Sequence, residues 1–256
     1  MKTNGHVPKI PTRRTLLKAG IRIIVDVPKE RVIHNVPFVN FWNIAKRGWD
    51  LVPRTYGRTD ANRNQCGHFM LENTKYTHVC MLDSDHAHPE DIVERLARWV
   101  LKDPDKLVVG GLNFRRTPPF DPCMFQMGQD SKLYPPLEWS GCVPVAAVGT
   151  GCVLISRKVF ETMRPQEGKP PWFAYGYNWH HLGIYPSEDM FFAQLCRENG
   201  IQHWCDTTTT SPHMTEAYIT EQHFRNFIHH NPEHIKILGQ DGERAAKILK
   251  GEAERV

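Results

Sequence analysis

Residues 77–96, THVCMLDSDHAHPEDIVERL, decide the fold class of this chain. The apolar run His78–Leu82 predicts a buried strand, and Asp83-Ser84-Asp85 follows it at once. Pro89 stands at the start of the next helix, where its fixed φ and missing N–H are tolerated. Apolar residues from Ile92 to Val100 then recur at helical spacing. The stretch is therefore one strand, one acidic turn and one amphipathic helix.

The same alternation continues on both sides of this unit. We predict further strands at 21–27, 49–53, 107–111, 143–148, 152–156 and 203–206, and helices at 37–48, 60–74, 158–163 and 188–199. Strands that alternate with helices indicate an α/β fold with a mostly parallel central sheet flanked by helices.

The composition divides the chain into three parts. Residues 1–20 are polar and basic and predict a flexible N-terminal arm, whereas the alternating elements fill residues 21–214. Residues 215–256 are amphipathic and predict a helical C-terminal extension. Within the central part, the proline-rich stretch 113–141 separates a first half, 21–112, from a second half, 113–214.

Composition excludes several classes of protein. The chain has 256 residues, 40% of them hydrophobic, and a formal net charge of +4, which excludes a disordered chain, a collagen-like fibre and a coiled coil. No apolar run approaches the roughly 18 residues that cross a bilayer, so no transmembrane segment is predicted. The small, scattered basic excess gives no indication of a nucleic-acid partner.

The cysteines and the N-terminal residues predict a cytoplasmic protein. Seven cysteines form an odd set without a CxxC pair, which favours free thiols in a reducing compartment. Arg13-Arg14 looks like a twin-arginine export signal, but Arg22 and Asp26 interrupt the apolar stretch that should follow it.

Asp83 and Asp85 are the strongest chemical signal. A strand that stops at two aspartates places both carboxylates at the sheet edge where α/β proteins bind ligands. Oxygen ligands of this kind suit Mg²⁺ or Mn²⁺. A bare DxD is common, however, and an Asp/Ser turn that caps the following helix explains it equally.

Two further positions carry reactive groups. Ser187-Glu188-Asp189 begins a helix, where acids either complement the helix dipole or supply a general base. His213 follows the last strand in a loop.

An aromatic loop extends from Trp172 to Tyr185. Its rings either stack on a bound sugar or form a small aromatic core under a long loop.

Taken together, these motifs resemble the GT-A glycosyltransferases, specifically the family-2-like proteins common in bacteria and phages. The order of the motifs over residues 60–213 carries the resemblance. The matching segments are RTDANRNQC (58–66), THVCMLDSDHAHPEDIVERL (77–96), VVGGLNFRRTPP (108–119), AVGTGCVLISRKVFETM (147–163), PWF (171–173) and SEDMFFAQLCRENGIQHWCDTTTTSPH (187–213).

The resemblance implies a GT-A fold with a nucleotide-binding half, 21–112, and an acceptor half, 113–214. It also implies transfer of a sugar from a nucleotide-diphosphate sugar to a hydroxyl of a glycan or other acceptor, with inversion. Asp85, assisted by Asp83, would hold Mn²⁺ or Mg²⁺ on the two phosphates, and His213 would be the third protein ligand. Asp189 would be the general base, with Glu188 supporting it.

The resemblance assigns the remaining positions to substrate binding. Trp172 and Phe173 would contact the acceptor. Four residues would lie near the nucleotide: Asp60, Arg63, Asn64 and Ser84. The first strand departs from the family pattern because it ends in DVPKER (26–31), so the nucleotide cannot be read from this segment.

Three other functions remain open. His86 and His88 form an HxH pair after a strand, a pattern found in zinc hydrolases. A nucleotidyltransferase could share the scaffold, but it would need a glycine- and lysine-rich phosphate loop where the chain has PKER (28–31). A module that only binds sugar or nucleotide has no need of Asp189, so this residue favours an enzyme.

Overall fold

The computed structural model of the chain describes residues 7–28, 35–54, 57–167, 171–175, 187–215 and 218–231. The strands in these ranges are β1 Ile23–Pro28, β2 Asp50–Arg54, β3 His78–Leu82, β4 Val108–Leu112, β5 Met124–Met127, β6 Leu133–Tyr134, β7 Cys142–Val145, β8 Ala147–Val148, β9 Cys152–Ser156 and β10 His203–Thr210. The helices are α1 Arg13–Lys18, α2 Asn35–Lys46, α3 Thr59–Glu72, α4 Ile92–Lys102, α5 Arg157–Thr162, α6 Glu188–Glu198 and α7 Glu221–His230.

Seven strands form the central sheet in the order β2-β1-β3-β9-β4-β10-β7. Strands β1, β2 and β3 pair in parallel, as do β4 and β10. Strand β9 lies antiparallel between β3 and β4, and β7 lies antiparallel beside β10. Five of the seven strands therefore run in one direction, which confirms the predicted α/β class with a mostly parallel sheet.

The antiparallel direction of β9 follows from the connection that leads to it. A parallel crossover normally contains a helix. Residues 113–151 contain none, and instead form a second sheet in the order β6-β5-β8. The chain therefore enters β9 at the edge of the sheet where β4 ends and runs back between β3 and β4.

The central strands are buried on both faces because helices cover both. Every residue of β3, β4 and β9 is buried. One apolar cluster lies under α1, α2 and α4 and contains Leu16, Ile44 and Leu96. The other lies under α3, α5, α6 and α7 and contains Met70 and Phe192. Alternating β1 side chains point to opposite clusters, as a strand between two helical layers requires.

The structure corrects the sequence prediction at the N-terminal end. Residues 13–18 of the predicted flexible arm form α1, because Thr12 caps the helix and Leu16 is completely buried against the α2–α4 layer. In the predicted C-terminal extension, 215–256, helix α7 is present and residues 232–256 lie outside the described residues.

The middle of the chain is also more regular than predicted. The stretch 113–141, predicted as irregular, holds β5 and β6, and the predicted strand 143–148 is divided between β7 and β8. The division falls at Ala146, whose N–H donates to the carbonyl of Phe125 in β5 rather than to the central sheet. No helix among the described residues has the length and apolar character needed to cross a bilayer.

Buried histidines make the stability of this fold sensitive to acid. His203 in β10 is buried against Phe192, and neither ring nitrogen has a hydrogen-bond partner among the described residues. Burial, with a smaller contribution from the charge of Arg197, lowers the pKa of His203 to about 3. Because this folded-state pKa lies below the unfolded value of about 6.5, the stability that neutral His203 supports is complete above pH 6.5 and is lost as the pH falls towards 3.

His203→Phe is therefore expected to flatten the acid limb of the stability profile. Phenylalanine keeps the ring contact with Phe192 and cannot be protonated. As the pH falls from 7 to 4.5, the free energy of unfolding of the variant should therefore rise by about 2–3 kcal/mol relative to that of the wild type. Urea denaturation across this pH range measures the difference, with the exposed His229→Gln as control. Parallel profiles for wild type and His203→Phe would contradict the assignment.

Candidate active site

The acidic turn lies where β3 ends and meets the start of β9. The N–H of Asp83 donates to the carbonyl of Gly151 at 2.9 Å, so the chain leaves the sheet at this residue. Asp83 and Asp85 both lie at the C-terminal edge of β3, where the strand boundary in the sequence places them. Their side chains then turn to different partners.

Asp83 faces a buried arginine. Both of its carboxylate oxygens lie 3.2 Å from Nη2 of Arg63, which projects from α3. The Nη1 group of Arg63 donates to Glu188 at the start of α6. Burial raises the pKa of Asp83, but the neighbouring positive charges, led by Arg63, outweigh this and hold it below its usual range. For Glu188, burial dominates and raises the pKa. Arg63 therefore ties α3, the end of β3 and α6 together.

Asp85 faces two histidines and a second arginine. Its Oδ1 lies 3.7 Å from Nε2 of His86, and its Oδ2 lies 3.9 Å from Nε2 of His213 and 3.1 Å from Nη1 of Arg116. One ligand atom from each of Asp85, His86 and His213 lies within 4.8 Å of the others. These three residues form a compact donor set, and Asp83 stands outside it.

The two histidines are oriented as metal ligands usually are. Nδ1 of His86 lies 3.0 Å from the carbonyl of Ser211, and Nδ1 of His213 lies 2.6 Å from the carbonyl of Phe114. A ring that donates its Nδ1–H to a carbonyl presents the Nε2 lone pair, and outer contacts of this kind fix metal-binding imidazoles. Both Nε2 atoms face Asp85.

Two further observations show that a cation fits this donor set. Nε2 of His86 is buried and has no hydrogen-bond partner among the described residues, so a ligand atom is unsatisfied there. At Gly151, an added Cβ would lie 2.9 Å from Nε2 of His86 and 3.0 Å from Oδ2 of Asp83. A side chain at this position would fill the space beside the donor atoms, and glycine leaves it open.

His88 does not join the donor set. Its Nε2 lies 2.8 Å from the carbonyl of Asp83, and its Nδ1 lies 2.8 Å from the hydroxyl of Ser211. Both nitrogens of this buried ring are occupied by contacts that hold the turn. The predicted HxH pair is therefore divided between a candidate ligand, His86, and a residue that supports the turn.

His86 is the member of the donor set that the sequence did not single out as a ligand on its own. The backbone of His86 pairs with that of His213 in an isolated β-bridge, and the two ring centroids lie 3.9 Å apart. This bridge joins positions far apart in the chain. The sequence signal that could have identified His86 as a ligand is its position directly after Asp85, in the same turn.

Glu188 and Asp189 occupy the first turn of α6, as the sequence predicts. Ser187 precedes the helix, and its hydroxyl donates to Oδ1 of Asp189. Glu188 is committed to Arg63, so the two acids have separate partners. The charge of Asp189 also acts on Arg63, which places it beside the same ionic network.

Three of the four residues expected near the nucleotide have partners within the fold: Asp60, Asn64 and Arg63, whose ion pairs are given above. Asp60 forms an ion pair with Arg58 in the first turn of α3. The amide of Asn64 donates to and accepts from the backbone of Phe173, at 2.7 and 2.9 Å. Ser84 is buried beside the two aspartates, and its hydroxyl has no partner among the described residues. Asn64 is thus placed to hold the segment around Phe173.

Trp172 and Phe173 are core residues, contrary to the predicted acceptor contact. Trp172 is completely buried, edge-on to Phe160, and Phe173 stacks on Phe192 at 4.5 Å. Neither ring offers a face to a ligand in this structure, because each is covered by the cluster under α3, α5 and α6. Tyr175 is the exposed ring of this segment, whereas residues 177, 179 and 185 lie outside the described residues.

Comparison with known proteins identifies the fold. No family model matches the chain, and no curated protein matches it. Among solved structures, A197 from STIV is 14% identical, with 76% of this chain and 86% of that one covered and a TM-score of 0.54. The structure of GalNAc-T7 with UDP, GalNAc and Mn²⁺ is 8% identical, with 91% of this chain and 54% of that one covered and a TM-score of 0.50.

The chain therefore spans about half of GalNAc-T7. Identities this low show the fold alone. The order and direction of the seven strands, together with these similarities, show that the chain has the GT-A glycosyltransferase fold.

Proposed function

We propose that this chain is a metal-dependent glycosyltransferase of the inverting type. It would move a sugar from a nucleotide-diphosphate sugar to a hydroxyl of a glycan or other acceptor. The observation that carries the proposal is the donor set of Asp85, His86 and His213 at the ligand-binding edge of a GT-A sheet. GalNAc-T7, which shares this fold, binds UDP and Mn²⁺.

The donor set favours Mn²⁺ over Mg²⁺. Mg²⁺ prefers oxygen ligands, and this set offers two imidazole nitrogens beside one carboxylate. When bound, such a cation offsets the negative charge that develops on the leaving diphosphate. Asp83, which the sequence predicts to assist Asp85 as a ligand, balances Arg63 next to the donor set.

The charge of the surrounding residues supports a divalent cation. Four carboxylates meet at the ends of β3 and α6, and two guanidiniums face them. The four acids are Asp83, Asp85, Glu188 and Asp189, and the two bases are Arg63 and Arg116. Over these six groups, two negative charges remain, which a divalent cation would balance.

Asp189 is the residue that would take the proton from the acceptor hydroxyl. The hydroxyl of Ser187 fixes Oδ1, which leaves Oδ2 to accept the proton. The N-terminal end of a helix favours negative charge at this position. Glu188 contributes by fixing Arg63 beside the network, since its own carboxylate is already paired.

The cysteines support a cytoplasmic location for this activity. All seven are free thiols, and six of them are buried in the two apolar clusters or the strands. Thiols in such positions persist in a reducing compartment.

A metal-dependent hydrolase is the second candidate function. One carboxylate with two imidazoles also suits Zn²⁺, and catalytic zinc sites keep a fourth position open for water. This candidate would use His213 in place of His88, because both nitrogens of His88 are occupied.

Asp85→Ala is expected to abolish metal-dependent nucleotide binding and to leave the protein folded. In the wild type, one of UDP, GDP, CMP or dTDP with Mn²⁺ should stabilise the fold by about 2.7 kcal/mol at a hundredfold its Kd, and a chelator should remove the effect. Loss of a charged ligand should weaken Mn²⁺ binding at least about tenfold. Thermal denaturation with each nucleotide measures this.

Asp103→Ala is the matched control, because it removes an aspartate paired with Lys106 away from the site. Nucleotide affinity unchanged in Asp85→Ala would contradict the metal role. Stabilisation of the wild type by Zn²⁺ alone, with none from any nucleotide, would favour the hydrolase.

A further inference from the structure

Arg116 lies in a short loop, residues 115–121, beside the donor set. The N–H of Arg115 donates to the carbonyl of Asp121 at 2.9 Å, and Phe114 pairs with Pro122, so backbone contacts close the base of the loop. From this loop, Nη1 of Arg116 reaches Oδ2 of Asp85 at 3.1 Å.

The loop and the donor set are connected at a second point. The carbonyl of Phe114, two residues before Arg116, accepts the hydrogen bond from Nδ1 of His213. The backbone next to Arg116 is therefore fixed relative to a candidate ligand. Any movement of the guanidinium must come from its side chain.

The side chain of Arg116 is far more exposed than that of Arg63. The Arg116 side chain is 52% exposed, and that of Arg63 is 7% exposed. Arg63 is held by the buried carboxylate of Glu188 and the partly buried carboxylate of Asp83, whereas Arg116 pairs with Asp85. A half-exposed ion pair is weak enough to exchange partners.

The ion pair between Asp85 and Arg116 competes with the binding of a divalent cation by Asp85. Oδ2 of Asp85 faces both Nη1 of Arg116 and Nε2 of His213, so a cation held by Asp85 and His213 would lie close to the guanidinium. Like charges repel at such distances. Cation binding therefore favours release of the guanidinium towards solvent.

We propose that Arg116 couples metal binding to diphosphate binding. It neutralises Asp85 before the cation arrives, is displaced by the cation, and then binds the phosphate oxygens of the nucleotide diphosphate. A guanidinium suits this role because its planar donors match two phosphate oxygens at once. The proposal rests on the proposed function and identifies the residue that links its two ligands.

This arrangement predicts opposite effects on the two ligands. Without Arg116, no guanidinium competes for Asp85, so Mn²⁺ alone binds more tightly. The diphosphate loses a cationic partner, so its complex binds more weakly. A purely structural role for Arg116 would weaken the binding of both ligands or leave both unchanged, so it would not produce this pair of opposite changes.

Isothermal titration of wild type and Arg116→Gln with Mn²⁺ alone, and then with the preformed Mn²⁺–pyrophosphate complex, tests the proposal. Pyrophosphate carries the chemistry that all nucleoside diphosphates share. We expect Arg116→Gln to bind Mn²⁺ about 3- to 10-fold more tightly. It should bind the pyrophosphate complex about 3- to 10-fold more weakly, because the lost charge-assisted phosphate contact, about 10- to 100-fold in Kd, outweighs the competition removed at Asp85. Arg116→Lys keeps the positive charge but cannot donate two parallel hydrogen bonds to phosphate. Its affinity for Mn²⁺ should resemble that of the wild type, and its affinity for the pyrophosphate complex should be lower.

Arg115→Gln is the control, since it removes the same charge from the neighbouring exposed position. Changes of the same sign for both ligands in Arg116→Gln, or no change, would overturn the coupling while leaving the proposed function intact. A wild type that binds neither Mn²⁺ nor the pyrophosphate complex would overturn both.

Discussion

Asp189→Asn is expected to bind nucleotide and Mn²⁺ as the wild type does and to lose sugar transfer, with kcat reduced by about 10²–10⁴-fold. The substitution changes one group. An asparagine oxygen can still accept the hydrogen bond from Ser187, so the first turn of α6 keeps its geometry. The amide cannot accept a proton from the acceptor hydroxyl, and this is the step that the proposed function assigns to Asp189.

The measurement compares nucleotide affinity with release of the nucleoside diphosphate during turnover. Glu198→Gln is the matched control, because it neutralises an acid at the opposite end of α6, where Glu198 accepts from Gln194. Near-normal turnover in Asp189→Asn would remove the general-base assignment. Loss of nucleotide binding in the same variant would show that Asp189 acts on the ionic network of Arg63 instead.

Local signals in the sequence were sufficient for the elements that place the site. The buried run His78–Leu82 could only be a central strand, and its end fixed the position of Asp83 and Asp85. Ser187 before two acids marked the start of α6 in the same way. In each case the residues that determine the strand or the helix start lie within one strand or one turn, so the local sequence is sufficient to predict it.

The contacts that complete the site depend on residues far apart in the chain. His86 joins Asp85 as a candidate ligand because its backbone pairs with His213, and no local pattern encodes that bridge. Residue type also could not show that Trp172 and Phe173 are buried, since the same rings suit a core and a sugar platform. The prediction of a flexible N-terminal arm differs from the structure for a related reason, because Leu16 becomes a core residue only by packing against α2 and α4.

Arg63→Met is expected to destabilise the fold by about 3–5 kcal/mol at pH 7, measured by urea denaturation. Arg63 is 6% exposed, and it is the shared counter-charge of Asp83 and Glu188. Methionine has a similar length and a helix propensity close to that of arginine, so α3 itself should persist. The loss would come from leaving the buried carboxylate of Glu188 and the partly buried carboxylate of Asp83 without their shared cation.

Adding Glu188→Gln to Arg63→Met should recover part of this loss, because it removes one of the two uncompensated charges. Arg63→Lys should fall between wild type and Arg63→Met, since one ammonium cannot bridge both acids as the guanidinium does. Arg95→Met, which breaks the more exposed pair with Asp91, should cost at most about 1 kcal/mol. A double variant no more stable than Arg63→Met would show that lost packing, rather than charge, accounts for the effect. The site would then owe its shape to the methylenes of Arg63, and Asp83 and Glu188 would not depend on this guanidinium for their charge balance.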